Sequence, residues 1–186
     1  MKATHKLAEE KYEALRQYAR ETAQLALPAV MMNNAGQAIS VCGRLKLSEI
    51  GFNAKIKAQG WNRSPSRRVD WNWREGLPDY AWRNPKRFEL AIWYDQNFLC
   101  GLGLGRPTWS DSRLRLDFIE ASPVTTPLTG LIVDIVVTAA TIYCDVIGAT
   151  QLRIMNPINE KVKDHYLKKH GFSFDQKGNF CVKELV

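Results

Sequence analysis

Hydrophobic and polar residues recur along this chain with two periods, helical near its start and strand-like after Pro85. Residues 4–25 repeat at three- and four-residue steps and therefore predict an amphipathic helix. The predicted inward face of this helix consists of Leu7, Lys11, Ala14, Leu15, Tyr18 and Thr22. A weaker helical pattern predicts a second helix over residues 37–58, interrupted near Gly43 and Gly51.

After Pro85, apolar residues alternate with polar ones, which is typical of strands. This alternation predicts three strands, at 87–94, 98–105 and 113–120. The remaining predicted elements are a long buried helix over 128–147, a strand over 150–155, a helix over 159–170 that ends at Gly171, and a closing hairpin over 172–185. Strands that alternate with helices predict an α/β fold with a mixed, partly parallel sheet flanked by helices.

Length and composition favour a single domain over residues 1–186. In this prediction, residues 1–85 form a helical extension and a Trp/Arg-rich loop, which pack on a core over residues 86–186. With 45% apolar residues the chain can bury a full core, so disordered and fibrous classes are excluded.

The four cysteines are scattered and contain no C-x-x-C pair, which favours four reduced thiols over a metal site. The first residues lead into a charged segment, and no run of apolar residues is long enough to span a membrane. We therefore expect a cytoplasmic protein without a bound metal or a membrane partner.

One candidate site is the loop that joins the strand at 113–120 to the long helix. Thr126 is a good helix cap, and Pro127 suits the first helical position. A helix entered directly from a strand end offers free N–H groups to an anion. The alternative interpretation is a well-capped helix without a ligand.

A second candidate lies on the charged helix, where Asn159 and Tyr166 are seven residues apart. At that spacing the two side chains lie two turns apart on one helix face. The amide could hold a polar ligand chain while the phenol gives up a proton. The alternative is an amphipathic helix with Val162, Tyr166 and Leu167 packed inward.

Five features of the chain together resemble the GCN5-related N-acetyltransferase (GNAT) superfamily. They are the capped loop, the long helix, the strand ending at Met155, the pattern Asn159-x-x-Val162-x-x-x-Tyr166 and the pair Gly171-Phe172. The resemblance covers residues 87–185. It implies a sheet whose fourth and fifth strands, 113–120 and 152–155 here, part to hold acetyl-CoA.

The resemblance also implies roles for individual residues. Tyr166 would protonate the leaving thiolate, and Asn159 would contact the pantetheine arm of acetyl-CoA. The other cofactor-binding residues would be Ile119 and Ala121 on the fourth strand and Thr125, Thr126, Leu128, Thr129 and Gly130 in the phosphate loop.

The chain departs from the family pattern at two points. Only Gly130 remains of the glycine-rich phosphate loop, and Leu128 stands where a glycine would let the backbone approach a phosphate. One extra residue also separates Tyr166 from Gly171, which would turn Tyr166 by about 100° on a continuing helix. The chain is therefore expected to be a divergent member with a degenerate phosphate loop.

Asp117 and Glu120 are the acids of the fourth strand. Three residues apart on a regular strand, they would face opposite sides of the sheet. Glu120 is the candidate general base for an amine, and a surface salt bridge is the alternative.

Gly101-x-Gly103-x-Gly105 does not match a dinucleotide-binding motif. Its glycines share one face of a strand and so predict close approach of a ligand or another backbone. In the family comparison this strand borders the acceptor site.

The stretch from Lys55 to Trp82 interleaves cations with tryptophans, with six basic residues and one acid between Lys55 and Arg74. Such a stretch suits single-stranded nucleic acid. The alternative is a loop in which Trp71 and Trp73 form a half-buried edge strand and the arginines are solvated.

Two functions follow as hypotheses. The first is an N-acetyltransferase that moves an acetyl group from acetyl-CoA to an amine acceptor. The second is a catalytically inactive binding module on the same fold, for nucleic acid or a protein partner. The net charge of +7 favours an acidic macromolecule over a small cationic amine as the acceptor. The oligomeric state is open, and a dimer is consistent with the sequence.

Overall fold

The computed structural model describes residues 2–185, which form five helices and nine strands. The helices are α1 (Lys2–Ala26), α2 (Phe52–Trp61), α3 (Gly76–Arg83), α4 (Ile132–Ile147) and α5 (Glu160–His170). The strands are β1 (Val30–Met32), β2 (Ala38–Ser40), β3 (Leu45–Ser48), β4 (Phe88–Tyr94), β5 (Phe98–Pro107), β6 (Arg113–Ala121), β7 (Gln151–Met155), β8 (Ser173–Asp175) and β9 (Phe180–Glu184).

Seven strands form one mixed sheet in the order β3-β4-β5-β6-β7-β9-β8, and β1 and β2 form a separate hairpin. Within the described chain, only β6 and β7 run parallel to each other. A parallel pair needs a crossover connection, which α4 supplies. The predicted α/β class with a mixed sheet and flanking helices is confirmed.

The sheet separates two hydrophobic cores. On one face, Ala19 and Ala23 of α1 and the buried side of α4 pack against the strands. On the other face, Ala54 and Ala58 of α2 and Leu77 of α3 form the second core. Both faces of β4 are therefore covered, which explains why all seven of its residues are buried.

The glycines of β5 allow α4 to pack directly on the sheet. A Cβ atom added at Gly101 would lie 2.6 Å from Ile132 Cγ2, and one added at Gly103 would lie 3.2 Å from Val136 Cγ1. The close approach that these glycines predict is confirmed, and the approaching element is a helix. Helix α4 covers that face.

The predicted helix over residues 37–58 is wrong in its first part. That segment contains β2 and β3, and helix begins only at Phe52. In β3, Leu45 and Leu47 are buried while Lys46 is exposed, which is the period of a strand. The sheet therefore starts at Leu45, within the region predicted to be a helical extension.

Helix α1 forms as predicted, but a different face is buried. Leu7 and Tyr18, predicted to face inward, are 67% and 58% exposed, whereas Arg16 is 1% exposed. The Arg16 guanidinium donates to Glu9 at 2.6 Å and to Glu13 at 2.8 Å. Because its charge is paired, this arginine can be buried against the sheet, and the hydrophobic pattern alone points to the wrong face.

The four cysteines carry free thiols; Cys42 is exposed and Cys100, Cys144 and Cys181 are buried. Among residues 2–185, no helix combines the length and the apolar character needed to cross a bilayer.

Candidate functional site

A cleft opens where β6 and β7 separate. The two strands pair from Arg113 opposite Gln151 to Leu116 opposite Ile154. Beyond that point β6 continues along β5 to Ala121, whereas β7 ends at Met155. The edge of β6 that faces the gap therefore lacks a strand partner there. The resulting cleft, of about 570 Å³, is lined by β6, β7, the start of α4 and α5.

A bulge in β6 changes which side chains share a face. The register with β5 shifts so that Gly105 lies opposite Leu116 and Leu104 lies opposite Phe118. Asp117 is the extra residue, and it points to the same side of the sheet as Phe118 and Glu120. The expectation that Asp117 and Glu120 face opposite sides is therefore wrong, because a bulge interrupts the alternation on which it rests.

Glu120 is buried and accepts three hydrogen bonds. Arg67 donates from Nε to Oε1 at 2.6 Å and from Nη2 to Oε2 at 3.1 Å, and Trp73 Nε1 donates to Oε2 at 2.5 Å. The Glu120 and Arg67 side chains are 6% and 8% exposed. The Glu120 carboxylate thus anchors the basic loop, residues 62–75 between α2 and α3, to the sheet. Arg67 and Glu120 form a buried ion pair, whereas the sequence suggested a surface salt bridge as the alternative role of Glu120.

The Asp117 carboxylate also accepts hydrogen bonds from neighbouring side chains. It accepts from the Tyr80 hydroxyl at 2.6 Å and from Arg115 Nε at 2.6 Å. Burial, with the charge of Asp117 and this hydrogen bond, raises the pKa of Tyr80 well above its ordinary value. Tyr80 therefore stays protonated and holds α3 to the bulge.

Tyr166 lies in the wall of the cleft on α5 and is 5% exposed. Burial, with a smaller contribution from Cys181, raises the pKa of its phenol well above the ordinary value. Helix α5 ends at Gly171 as predicted, with φ of 67°, and the Phe172 N–H donates to the Tyr166 carbonyl at 3.4 Å. The extra residue before Gly171 does not turn Tyr166 away from the cleft.

Asn159 is placed differently from the expectation drawn from the family. It is the N-cap of α5, and its Oδ1 accepts from the Val162 N–H at 2.9 Å. The side chain is exposed, and Val162, not Asn159, lines the cleft. The spacing to Tyr166 is thus explained by helix capping, which leaves the Asn159 amide oxygen occupied.

The predicted phosphate loop forms a tight turn before α4. Thr126 N donates to Thr129 Oγ1 at 2.9 Å, and Thr129 N donates to the Thr126 carbonyl at 3.0 Å. The helix begins at Ile132, so the prediction that Thr126 caps it at Pro127 is wrong. The local turn satisfies the Thr126 and Thr129 N–H groups, and Leu131 takes the capping position.

Leu128 belongs to the hydrophobic core and not to the exposed surface of this loop. Its side chain is fully buried in the first core. Thr129 lines the cleft, and Thr125 is exposed at the start of the turn. Within the described chain, the N–H groups of Ile132 and Val133 have no acceptor, as expected in the first turn of a helix.

Asn34 reaches the same loop from the β1–β2 hairpin, a contact that sequence reasoning missed. Gly130 has a φ of 87°, and a Cβ added there would lie 3.1 Å from Asn34 Nδ2. The Asn-Asn-Ala-Gly turn signal locates this hairpin in the sequence, but not its contact with a loop some 100 residues later. The Asn34 amide therefore adds a polar group beside the turn that precedes α4.

The two strand residues expected at the cofactor both line the cleft. Ile119 lies opposite Gly103 and Ala121 lies opposite Gly101 on β5. Ile119 packs against the first core, whereas Ala121 is exposed at the end of β6. They are therefore placed where a ligand in the gap would pass along the open strand edge.

In the stretch from Lys55 to Trp82, some side chains pack against the sheet and others are exposed to solvent. Trp73 is buried at 2% exposure, and Trp71 stacks on Phe118 with ring centroids 4.2 Å apart. These tryptophans anchor the loop to the sheet, but the predicted edge strand is wrong because residues 71–75 are irregular. Arg67 is paired with Glu120, whereas Arg63 and Arg68 are exposed.

Comparison with known proteins identifies this architecture. No protein-family model and no curated protein matches the sequence. Among solved structures, an acetyltransferase of the GNAT family from Desulfovibrio desulfuricans has a TM-score of 0.58 at 12% identity, with 76% of this chain and 99% of that chain covered. A spermidine N-acetyltransferase from Vibrio cholerae has a TM-score of 0.56 at 11% identity, with 76% and 94% covered.

A third similar structure is the N-acetyltransferase PseH from Campylobacter jejuni, with a TM-score of 0.51 at 12% identity and coverage of 74% of this chain and 94% of that chain. The chain thus has the fold of the GNAT-family N-acetyltransferases. At this identity the likeness concerns the fold, and it confirms the resemblance read from residues 87–185.

Proposed function

We propose that this protein is an acyl-CoA-dependent N-acetyltransferase that moves an acetyl group from acetyl-CoA to an amine. The observation that carries the proposal is the cleft between β6 and β7, in which an unpaired strand edge faces Tyr166. A thioester lying along that edge would find backbone N–H donors on one side and a protonated phenol on the other.

The described residues fit acetyl-CoA as co-substrate. The pantetheine arm would lie along Ile119 and Ala121 in the gap. The diphosphate would meet the free N–H groups of Ile132 and Val133, with the hydroxyl of Thr129 at its side. Thr129 accepts a hydrogen bond from Thr126 N and still has its own proton to donate.

In the proposed reaction, the nitrogen lone pair of the amine attacks the thioester carbonyl carbon, and the carbonyl oxygen gains negative charge. The tetrahedral intermediate then re-forms the carbonyl as the carbon–sulfur bond breaks. Tyr166 gives its proton to the departing CoA thiolate, and the new amide loses the extra proton of the attacking nitrogen. Burial raises the pKa of Tyr166, which keeps the phenol protonated before the reaction but also makes it a weaker acid toward the thiolate.

Glu120 is a poor candidate for removing the amine proton while its carboxylate is shared between Arg67 and Trp73. A base needs a free lone pair directed at its proton, and these donors occupy the carboxylate. We therefore assign Glu120 the role of positioning the loop at the cleft, and we expect cleft water to accept the amine proton.

The acceptor is proposed to carry negative charge near its amine. Arg68 is exposed and lines the cleft, and it adds to the basic character of the chain. Because Arg67 is paired with Glu120, the exposed Arg68 would contribute positive charge that attracts an acidic molecule and repels a polyamine. An RNA or an acidic protein therefore suits this site better than a small cationic amine.

The experiment that tests the proposal measures CoA release from acetyl-CoA with a panel of amine acceptors. We expect the Tyr166→Phe variant to lower kcat by about 10²–10⁴-fold, the usual contribution of a general acid. Tyr18→Phe, which alters an exposed tyrosine, is the matched control and should retain the parental rate. Equal rates for parent and Tyr166→Phe would remove Tyr166 from the mechanism.

The alternative function is a binding module without transferase activity. The observation that favours it is that both β6 carboxylates already accept hydrogen bonds from structural donors, three at Glu120 and two at Asp117, which makes each a poor base. In that case the protein binds its partner, turns over no acetyl-CoA with any amine of the panel, and Tyr166→Phe changes nothing that can be measured.

A further inference from the structure

Three side chains that the proposed reaction does not use come together between α4 and α5. They are Asp134, in the first turn of α4, and His165 and His170 of α5. One ligand atom from each lies within 4.8 Å of the others, and all three side chains are partly buried. Two imidazoles and a carboxylate in such a cluster match the donors that bind first-row divalent cations.

Two atoms of this cluster lack the partners that burial normally requires. Asp134 Oδ1 and His170 Nε2 lie 2.9 Å apart, with side chains 16% and 11% exposed. Both atoms are shielded from solvent, and neither has a hydrogen-bond partner of acceptable geometry among residues 2–185. The two atoms are close enough for an ion pair but lack hydrogen-bond geometry, so burial leaves both without the hydrogen bond that normally offsets desolvation.

We propose that Asp134, His165 and His170 form a binding site for a divalent cation of the Zn²⁺ type. A cation bound by Asp134 Oδ1 and His170 Nε2 would satisfy both orphaned atoms. His165 would supply the third ligand, and a water molecule the fourth position. This open, three-ligand arrangement differs from a closed structural zinc site, which has four protein ligands.

Lys169 is expected to lower the affinity of this site for a cation. Its ammonium lies 2.6 Å from Asp134 Oδ2, so the two carboxylate oxygens have separate partners and Oδ1 remains for the cation. The lysine charge also repels a bound cation, which lowers the affinity. We therefore expect Zn²⁺ to bind more weakly than at a four-ligand site, and the Lys169→Met variant to bind it more tightly than the parent.

The bound cation would connect α5 to the first turn of α4. Tyr166 follows His165 directly in the chain, and the turn of residues 126–131 leads into Asp134. Zn²⁺ binding is therefore expected to raise the Tm of the whole protein, because it favours the folded state in which the two helices meet. This inference does not depend on the proposed transferase activity.

The test titrates Zn²⁺ into the untagged full chain by calorimetry and records the visible spectrum with Co²⁺ in place of Zn²⁺. We expect one equivalent to bind, with cobalt d–d bands and no thiolate-to-cobalt band. The Asp134→Asn and His170→Ala variants should each weaken binding by at least about tenfold. The matched controls are His5→Gln, since the chain has only one histidine outside the cluster, and Cys42→Ser, which removes the exposed thiol.

Three outcomes would overturn the proposal. One is the absence of Zn²⁺ binding by the parent protein. Another is equal affinity in the parent and in folded Asp134→Asn and His170→Ala variants, checked by circular dichroism. The third is loss of binding in His5→Gln or Cys42→Ser, which would place the ion on the surface.

Discussion

The buried pair of Arg67 and Glu120 should control the stability of the basic loop. The two residues are 53 positions apart in the chain, and their side chains are 8% and 6% exposed. Replacing Arg67 with Met removes two donors from the carboxylate and leaves Trp73 Nε1 as its remaining donor. The charge of Glu120 then stays buried without a counter-ion.

Breaking one partner of a buried pair typically costs about 3–5 kcal/mol, because the remaining charge is not compensated. With a urea m-value of about 2–3 kcal/mol/M, this loss would lower the midpoint of urea unfolding by roughly 1–2.5 M. The double variant Arg67→Met/Glu120→Gln removes the charge and keeps an oxygen for Trp73. We therefore expect it to recover about 2 kcal/mol relative to Arg67→Met alone.

The assay is urea unfolding followed by tryptophan fluorescence and by circular dichroism. Arg68→Met is the matched control: Arg68 is exposed, so its loss should change the free energy of unfolding by no more than about 0.5 kcal/mol. The assignment of Glu120 as a loop anchor is refuted if Arg67→Met is as stable as Arg68→Met, or if the double variant is less stable than the single one.

Two further predictions concern packing and thiol chemistry. Gly101→Ala should destabilise the protein by about 1–3 kcal/mol, since the new Cβ would lie 2.6 Å from Ile132 Cγ2, whereas Gly60→Ala meets no atom within 4 Å and should be neutral or stabilising by up to about 1 kcal/mol. Urea unfolding of both variants checks this, and equal stabilities would contradict the close packing of α4 on β5. Ellman's reagent at pH 8 should label Cys42 alone in the folded protein and all four thiols in denaturant; burial raises the pKa of the Cys144 thiol to about 12, so its reactive thiolate is scarce. Rapid labelling of two or more thiols in the folded state would contradict the burial of the other three.

The C-terminal half of the fold can be read from the sequence because its elements are long and strongly periodic. The alternation in Arg113–Glu120 and the apolar run that ends at Ile147 predict β6 and α4 to within a few residues. The short strands β2 and β3 are missed, since three or four residues contain too few repeats to separate a strand from a helix. Helix α1 shows a different limit: its buried face contains arginines, which no hydrophobic pattern reveals.

The site was predictable in position but not in detail. The gap between β6 and β7 and the place of Tyr166 beside it are expectations drawn from the resemblance to the GNAT superfamily, not from the hydrophobic pattern. The bulge at Asp117, the pairing of Arg67 with Glu120 and the approach of Asn34 to Gly130 depend on contacts between distant parts of the chain. Regular alternation along β6 would place Asp117 and Glu120 on opposite faces, and the bulge that places them on one face is visible only in the pairing of β6 with β5.

Calorimetric titration with acetyl-CoA tests the central claim most directly, because the proposed transfer requires that the cleft bind this co-substrate. We expect saturable heat with one equivalent bound, and a weaker signal in Val162→Trp, where the larger side chain would fill the gap beside Tyr166. Circular dichroism of the same samples checks that the parent and the Val162→Trp variant are both folded. The account is contradicted if the parent protein gives no heat at millimolar acetyl-CoA and retains no CoA after purification.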